Sequence, residues 1–427
     1  MAGKIKEIQA ADFEKEVLGK ERAVIDFYST ECPPCEALAA KYENLSMIYG
    51  DDINFVKIFR QGNKDLAAEL DVSGSPTVLF YENGKRVGKT LTGGILRSDL
   101  MEGLDALLPA EKAEELHAKI EQVVTNADTV VLGGGPAGLT AGIYLAQAHL
   151  NTIVVDTALP GGYVATTHQV SNYPGFVEPQ PGMMLSHYMG EQAKANGVKF
   201  RSAVDVSKVD LLNKNLVVDG YETIEAKKIV IATGSRPRPL DIPGEKEYAG
   251  QGISYCATCD GKYFEDKEII VIGGGNSSIE ESLFLSKFAK KITIVHQFDT
   301  LQANKEAQNK IFADDKVDIM FEHEPREFKK YGNMDMAVVV ENLKTGALSE
   351  LRTNGVFVFV GFIPNLEVFN DEMELDQWGY LKTSETMETN IPGVFAAGDV
   401  RTKQYRQITT AVADGTIAAI TISKELT

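Results

Sequence analysis

Residues 129–142 read Thr129-Val130-Val131-Leu132-Gly133-Gly134-Gly135-Pro136-Ala137-Gly138-Leu139-Thr140-Ala141-Gly142, an apolar strand running through a glycine-rich turn into a helix. In that order the glycines have separate tasks. Gly133 allows the tight turn, Gly135 lets the backbone approach a pyrophosphate, and Gly138 permits close packing of helix on strand, with phosphate resting on the helix N-terminus beside Pro136 and Ala137. A second strand, Thr152-Ile153-Val154-Val155, ends in Asp156, where a carboxylate can hold ribose hydroxyls. A dinucleotide is the expected ligand. The pattern recurs at Ile269-Ile270-Val271-Ile272-Gly273-Gly274-Gly275, so two nucleotide-binding-type folds are expected in an α/β chain.

The totals agree with several domains. At 427 residues the chain exceeds what one hydrophobic core usually supports. Forty-three basic residues against 61 acidic ones leave a net charge of −18, which disfavours nucleic acid and anionic membranes as partners. No apolar run approaches the roughly 18 residues that span a bilayer, and Met1 to Lys20 shows neither a signal-peptide core nor an Arg-rich transit pattern. A cytoplasmic protein is expected.

The four cysteines fall in two pairs, Cys32 with Cys35 and Cys256 with Cys259. Such spacing reads as a redox dithiol or half a zinc site. More than two hundred residues separate the pairs, which disfavours one compact zinc centre, and no metal is expected. Cys32 and Cys35 follow the strand-like Val24 to Tyr28 and open a helix-forming stretch. There the helix dipole and unpaired amides favour a thiolate at Cys32. Asp26, in the apolar strand, is expected to stay partly protonated and to exchange a proton with Cys35, a satisfied buried carboxylate being the plainer alternative.

Residues 1–108, with strand-like runs at Ala23 to Tyr28, Phe55 to Ile58 and Thr77 to Tyr81 and an Asn83-Gly84 hairpin signal, resemble the thioredoxins. The resemblance implies a cis-proline at Pro76 facing the dithiol and shaping the groove for partner chains. Glu31 and Pro33-Pro34 depart from the usual Trp before the first cysteine and Gly-Pro between the pair, and Glu31 should oppose thiolate formation. Residues 109–126, rich in Glu, Lys, Ala and Leu, are read as a helical connector.

Most of 127–427 resembles the low-molecular-weight thioredoxin reductases, carried by Pro160-Gly161-Gly162, Asn172-Tyr173-Pro174-Gly175, Ala232-Thr233-Gly234, Tyr255-Cys256-Ala257-Thr258-Cys259-Asp260, Gly398-Asp399-Val400 and Tyr405-Arg406-Gln407. It implies a discontinuous FAD domain over 127–245 and 365–427, an NAD(P)-like domain over 246–364 carrying the second cysteine pair, and a homodimer. Asp399 would bind the ribityl chain, and Arg406 and Gln407 would lie along the flavin on a C-terminal helix. Tyr163 replaces a common Gln after the glycine pair, either as a flavin contact or as simple packing. Cys259 would take electrons from the flavin, Cys256 would attack the thioredoxin disulfide, and Asp260 would move the proton.

One departure bears on the electron donor. NADPH-dependent relatives carry His-Arg-Arg-x-x-x-Arg over positions 296–302, the arginines clamping the 2′-phosphate. This chain has His296, Gln297, Phe298 and Gln302 there, without the Asp or Glu that NADH would call for. Asn276 and Ser278 also depart from the family's Asp and Ala. The stretch resembles the ferredoxin-dependent flavin thioredoxin reductases, which implies ferredoxin as donor. An acidic ferredoxin would need positive patches such as Lys287, Lys290 and Lys291 or Arg326, Lys329 and Lys330. NADPH or NADH as donor, a peroxiredoxin as acceptor, and a flavin redox sensor without turnover are the alternatives.

Overall fold

The computed structural model describes residues 5–167, 170, 172–369 and 373–427, with the backbone alone at 258 and 259. Three sheet systems follow one another along the chain.

The first is a five-stranded sheet in the order Lys6–Ile8, Asn54–Phe59, Arg22–Tyr28, Thr77–Glu82 and Lys85–Thr92. Arg22–Tyr28 lies at its centre, parallel to Asn54–Phe59 and antiparallel to Thr77–Glu82. Its unbroken Ala23-Val24-Ile25-Asp26-Phe27 run is buried on both faces, as a central strand requires. Asn83 and Gly84 take φ values of 49° and 76° and close the expected hairpin. The helix Pro33–Tyr49 starts on two prolines, whose missing N–H groups cost nothing in a first turn. It lays Leu38, Tyr42, Leu45 and Tyr49 on Val24, Phe55, Val78 and Phe80, and that 3–4 spacing is one apolar face of a helix.

The helix expected over 109–126 is shorter than its composition suggested. It runs from Ala110 to His117, and five residues separate it from the strand Val123–Leu132. Residues 123–126 pair in parallel with Glu222–Glu225. Val123, Val124 and Thr125 are β-branched and weak helix formers, and the neighbouring strand offers their backbone a ladder of partners.

Val123–Leu132 belongs to a seven-stranded sheet ordered Lys199–Ser202, Thr152–Asp156, Val123–Leu132, Glu222–Ile231, Asn215–Val218 and Val206–Asp210, with Val394–Ala396 also paired to Glu222–Ile231. The long strand divides its far edge. Residues 222–225 take Asn215–Val218, whereas 229–231 take Val394–Ala396 from near the C-terminus. The helices Pro136–Gln147 and Ile408–Leu426 cover this sheet. They approach so closely that a Cβ on Gly415 would lie 2.2 Å from the Ala137 carbonyl oxygen.

The third sheet is all parallel, ordered Ile253–Ser254, Gly355–Val358, Glu268–Ile272, Lys291–His296 and Val317–Phe321. A three-stranded antiparallel meander, His323–Gly332, Asp335–Asn342 and Leu348–Thr353, packs beside it. Ser235–Pro237 pairs with Phe362–Pro364 as a two-stranded ribbon where the chain enters and leaves this part of the fold. No helix among the described residues is long and apolar enough to cross a membrane.

Candidate functional site

The glycine turn after Val123–Leu132 opens onto a cavity of about 720 Å³, within the roughly 300–1,000 Å³ range of small-molecule and cofactor sites. Gly133 has φ of 106°, and a Cβ there would sit 2.3 Å from the Ala232 carbonyl oxygen. Gly138 is tighter still, since its Cβ would meet the Gly133 carbonyl oxygen at 1.9 Å. Over Gly135 the cradle stays open, where an added Cβ would find only the Gly162 Cα at 3.8 Å. The turn is therefore crowded on the protein side and clear at the N-terminus of helix Pro136–Gln147, the form of an anion seat.

Of the residues singled out in the sequence, Gly133, Gly135, Pro136, Ala137 and Asp156 line one end of this cavity. Gly162, Tyr163, Asn172, Ala232, Thr233 and Gly234 line its walls, and Gly398, Asp399, Arg406, Gln407 and Cys256 complete it. Three others lie behind the lining. Gly138 holds the helix against the turn, Gly161 donates its N–H to the Gly134 carbonyl at 2.7 Å, and Val400 is buried in the core. Asp156 is also bonded to the backbone of the turn. Its two oxygens accept the Gly134 N–H at 2.6 Å and the Ala158 N–H at 2.8 Å, and burial outweighs these bonds to push its carboxyl up.

Arg406 and Gln407 precede the C-terminal helix instead of riding on it, with Gln407 as the N-cap of Ile408–Leu426. The Arg406 guanidinium stacks 3.9 Å from the Tyr380 ring centroid, leaving its buried Nε without a hydrogen-bond partner. Asn172 donates to Gln407 Oε1 at 3.2 Å. Asp399 is largely buried, and desolvation raises its pKa against the pull of Lys403, 3.1 Å away. That contact falls on Oδ1. A carboxylate oxygen has a second lone pair, which a ligand hydroxyl can use. The open glycine seat, the Asp399 carboxylate lining the cavity and the Arg406 Nε without a hydrogen-bond partner together fit FAD.

Asp414 is a residue that the sequence reading missed. From the C-terminal helix it accepts the Gly398 N–H at 3.1 Å and pairs with Lys403 at 3.1 Å and Arg401 at 3.4 Å, setting the loop that carries Asp399. Nothing in the local pattern marks it, because its partners lie a dozen residues away on another element.

The second cysteine pair opens the short helix Ala257–Asp260. Cys256 is disulfide-bonded and faces the cavity, whereas the side chain of Cys259 lies outside the described residues. Ser254, also missed, donates from Oγ to Asp260 Oδ2 at 2.6 Å and accepts the Cys256 N–H at 3.1 Å. It thereby orients both. Tyr255 donates to Glu245 at 2.8 Å, and the buried Glu245 also accepts the N–H groups of Leu240 and Asp241.

In the first sheet system Cys32 and Cys35 form a disulfide, and Cys32 Sγ accepts the Cys35 N–H at 3.2 Å at the helix N-cap. The Ser75–Pro76 peptide is cis, and the Ser75 carbonyl oxygen lies 3.6 Å from Cys32 Sγ. Arg60 holds Ser75 Oγ at 2.9 Å. Asp26 is buried, its Oδ1 has no partner, and desolvation raises its pKa to about 7 although Lys57 acts the other way.

At the second glycine turn His296 is buried, and its ring would stand 2.5 Å from a Cβ on Gly274. Its Nε2 lies 3.1 Å from the Thr300 carbonyl oxygen, and burial lowers its pKa. Gln297 and Phe298 are exposed beside it, and the Gln302 amide group is turned to Thr300 at 2.6 Å. No arginine occurs between Arg238 and Arg326. The basic runs considered for docking are largely engaged. Lys290 pairs with Glu268, Lys291 with Asp318, Arg326 with Glu324 and Glu341, and Lys329 with Glu350.

Comparison with known proteins agrees with this architecture. The thioredoxin family model matches residues 4–106, and the pyridine nucleotide-disulphide oxidoreductase model matches residues 127–415. The 34.2 kDa protein in the rubredoxin operon of Clostridium pasteurianum is 44% identical over 298 residues, covering 70% of this chain and 96% of the relative. Thioredoxin reductase of Peptoclostridium acidaminophilum is 44% identical over 304 residues, again 70% of this chain and 96% of the relative. Among solved structures, Lactococcus lactis thioredoxin reductase in the FR conformation is similar with a TM-score of 0.56 and 40% identity, over 70% of this chain and 98% of that one. With more than two thirds of its length matched in sequence and fold, the chain belongs to the thioredoxin reductases, flavoproteins of the pyridine nucleotide-disulphide oxidoreductase family, and carries a thioredoxin domain ahead of the reductase.

Proposed function

We propose that the chain reduces protein disulfides through two dithiols in series, Cys256–Cys259 and then Cys32–Cys35, with FAD as resident cofactor and a ferredoxin as electron donor. FAD, when bound, supplies the passage of donor electrons into the two-electron reduction of a disulfide. Gly133 to Ala137 would seat its phosphates, Asp399 and Arg406 would offer it polar atoms, and Tyr163 lines the cavity with Cys256. Cys256, as thiolate, attacks the Cys32–Cys35 disulfide, and Cys259 resolves the mixed disulfide and leaves the thioredoxin domain with two thiols. Asp260, held by Ser254, handles the proton at the first dithiol. Asp26 does so behind Cys35. Tethering replaces encounter in solution by an effective concentration on the order of mM.

The donor assignment is supported by the absence of arginine at positions 297, 298 and 302, where the resemblance to NADPH-dependent relatives would place a phosphate clamp, and by Gln302 being turned to Thr300. Exposed ion pairs such as Lys290–Glu268 are weak and can exchange partners on docking. A nicotinamide donor is the second reading, favoured by the family's description and by the intact Gly273 turn with φ of 129°. Anaerobic stopped-flow mixing with NADPH, NADH and reduced ferredoxin separates the two. Flavin bleaching by ferredoxin alone supports the assignment, and rapid bleaching by either nicotinamide overturns it. The relay itself is tested with Cys256→Ser and Cys32→Ser, each of which should abolish donor-driven reduction of a target disulfide. We place the enzyme in the cytoplasm as a homodimer through its FAD domains, a state that sedimentation velocity checks.

A further inference from the structure

The thioredoxin domain rests on the FAD domain through a small polar contact built around one lysine. Lys41, on helix Pro33–Tyr49, is only 7% exposed. Its ammonium donates to the carbonyl of Ile95 in its own domain at 3.0 Å and, across the boundary, to those of Ser202 at 3.1 Å and Ala203. All three of its donors are used. Ala203 takes a left-handed φ of 52°, uncommon for a residue with a Cβ. Successive carbonyls at 202 and 203 thus meet one ammonium. Around this point Ser98 donates from N and Oγ to Asp205 at 3.0 and 2.9 Å. Arg97 stacks 4.6 Å from the Tyr221 ring centroid, and Lys194 pairs with Glu36, next to Cys35, at 2.8 Å.

We infer that this FAD-domain surface, formed by Lys194, Ser202, Ala203, Asp205 and Tyr221, is a dissociable parking site for the chain's own thioredoxin domain, and that the parked domain is shielded from protein targets. Three observations carry this. First, the cavity lined by Cys256 takes no residue from the thioredoxin domain among the described residues, so the parked position is separate from the place of exchange. Second, the contact crowds the dithiol groove. Thr92 pairs with Thr77, next to cis-Pro76, so the Gly93–Gly94 turn flanks the groove. A Cβ on Gly94 would be 3.6 Å from both Ala203 Cβ and Leu159 Cγ. Third, the contact is polar and imperfect, since buried Arg97 leaves Nε and Nη2 without hydrogen bonds. Contacts of this kind between domains of one chain open readily.

The moving body has a defined edge. Leu116 packs in the thioredoxin core, and His117 Nε2 lies 2.9 Å from Asp105 and 3.1 Å from the Tyr49 hydroxyl. Helix Ala110–His117 therefore travels with the domain, and residues 118–122, between this helix and strand Val123–Leu132, form the pivot.

This inference rests on the proposed relay, and its test separates the two. Lys41→Glu turns a carboxylate toward two carbonyls and Asp205 in the full chain. Two quantities are read: amide hydrogen exchange over 95–98 and 202–205, and single-turnover reduction of insulin disulfides by chain reduced beforehand with excess dithionite and desalted. Exchange in both segments and the insulin rate should each rise by about tenfold or more, tenfold being the low end of the scale for losing hydrogen bonds to a charged group. Ser98→Ala, a milder change that removes one donor, should move both in the same direction by less. Unchanged exchange in Lys41→Glu, or raised exchange with an unchanged insulin rate, overturns the parking site. If reduced wild-type chain fails to reduce insulin at all, the relay fails instead.

Discussion

Replacing Asp26 by Asn should change how the stability of the thioredoxin domain depends on pH. The carboxyl is 6% exposed with an unpartnered oxygen, and burial lifts its pKa from 3.8 to about 7. Between those values the folded chain keeps a proton that the unfolded chain has released. Stability therefore falls as pH rises through this window, opposite to the behaviour of an ion-paired carboxylate. At about 1.4 kcal/mol per unit, the full cost above the window is roughly 4 kcal/mol, of which roughly 2 to 3 kcal/mol accrues between about pH 5 and about pH 8. Asparagine cannot ionise, although its unsatisfied amide donors cost about 1 to 3 kcal/mol at every pH. Native-state hydrogen exchange of peptides covering Arg22–Tyr28 in the oxidised full chain measures both proteins at each pH. The variant should be level with or weaker than wild type at the lower pH and gain roughly 2 to 3 kcal/mol on it at the higher one. An identical stability gap at both values would refute the reasoning.

Gly135→Asp should fold, because its Cβ meets nothing nearer than 3.8 Å, yet purify without flavin colour because a carboxylate then stands in the phosphate seat. Gly133→Ala instead drives a Cβ to 2.3 Å from a backbone oxygen, so its thermal midpoint should drop even with FAD added, as differential scanning fluorimetry will show. Arg201→Met strands the buried Glu222, which Arg201 holds at 2.7 Å, and should cost about 3 kcal/mol in urea unfolding. Tyr255→Phe removes one of three donors to Glu245 and should cost about 1 kcal/mol in the same assay.

Much of the architecture is readable because periodic signals report local physics. The Ala23 to Phe27 run announces a strand buried on both faces, and the two glycine turns announce helices seated on strands. The cysteine pairs stand out because few other residue patterns serve thiol chemistry. The connector is where this reading fell short. Val123, Val124 and Thr125 are β-branched and favour a strand, but the run is short and adjoins a helical stretch, and it extends where Glu222–Glu225 offers its backbone groups partners a hundred residues away. Ser254 and Asp414 were invisible for a related reason, since each acts through hydrogen bonds whose geometry no spacing rule encodes.

Residue order alone determines the two Cys-x-x-Cys pairs, the two glycine-rich turns and the absence of arginine at positions 297, 298 and 302, because these depend on side-chain identity and on neighbours a few positions away. Packing over long separations settles the rest: which Asp26 oxygen is left without a hydrogen bond, and where Lys41 finds the carbonyls of Ser202 and Ala203. Desolvation and hydrogen-bond satisfaction arise only when distant segments meet, and no stretch of the chain carries them in advance.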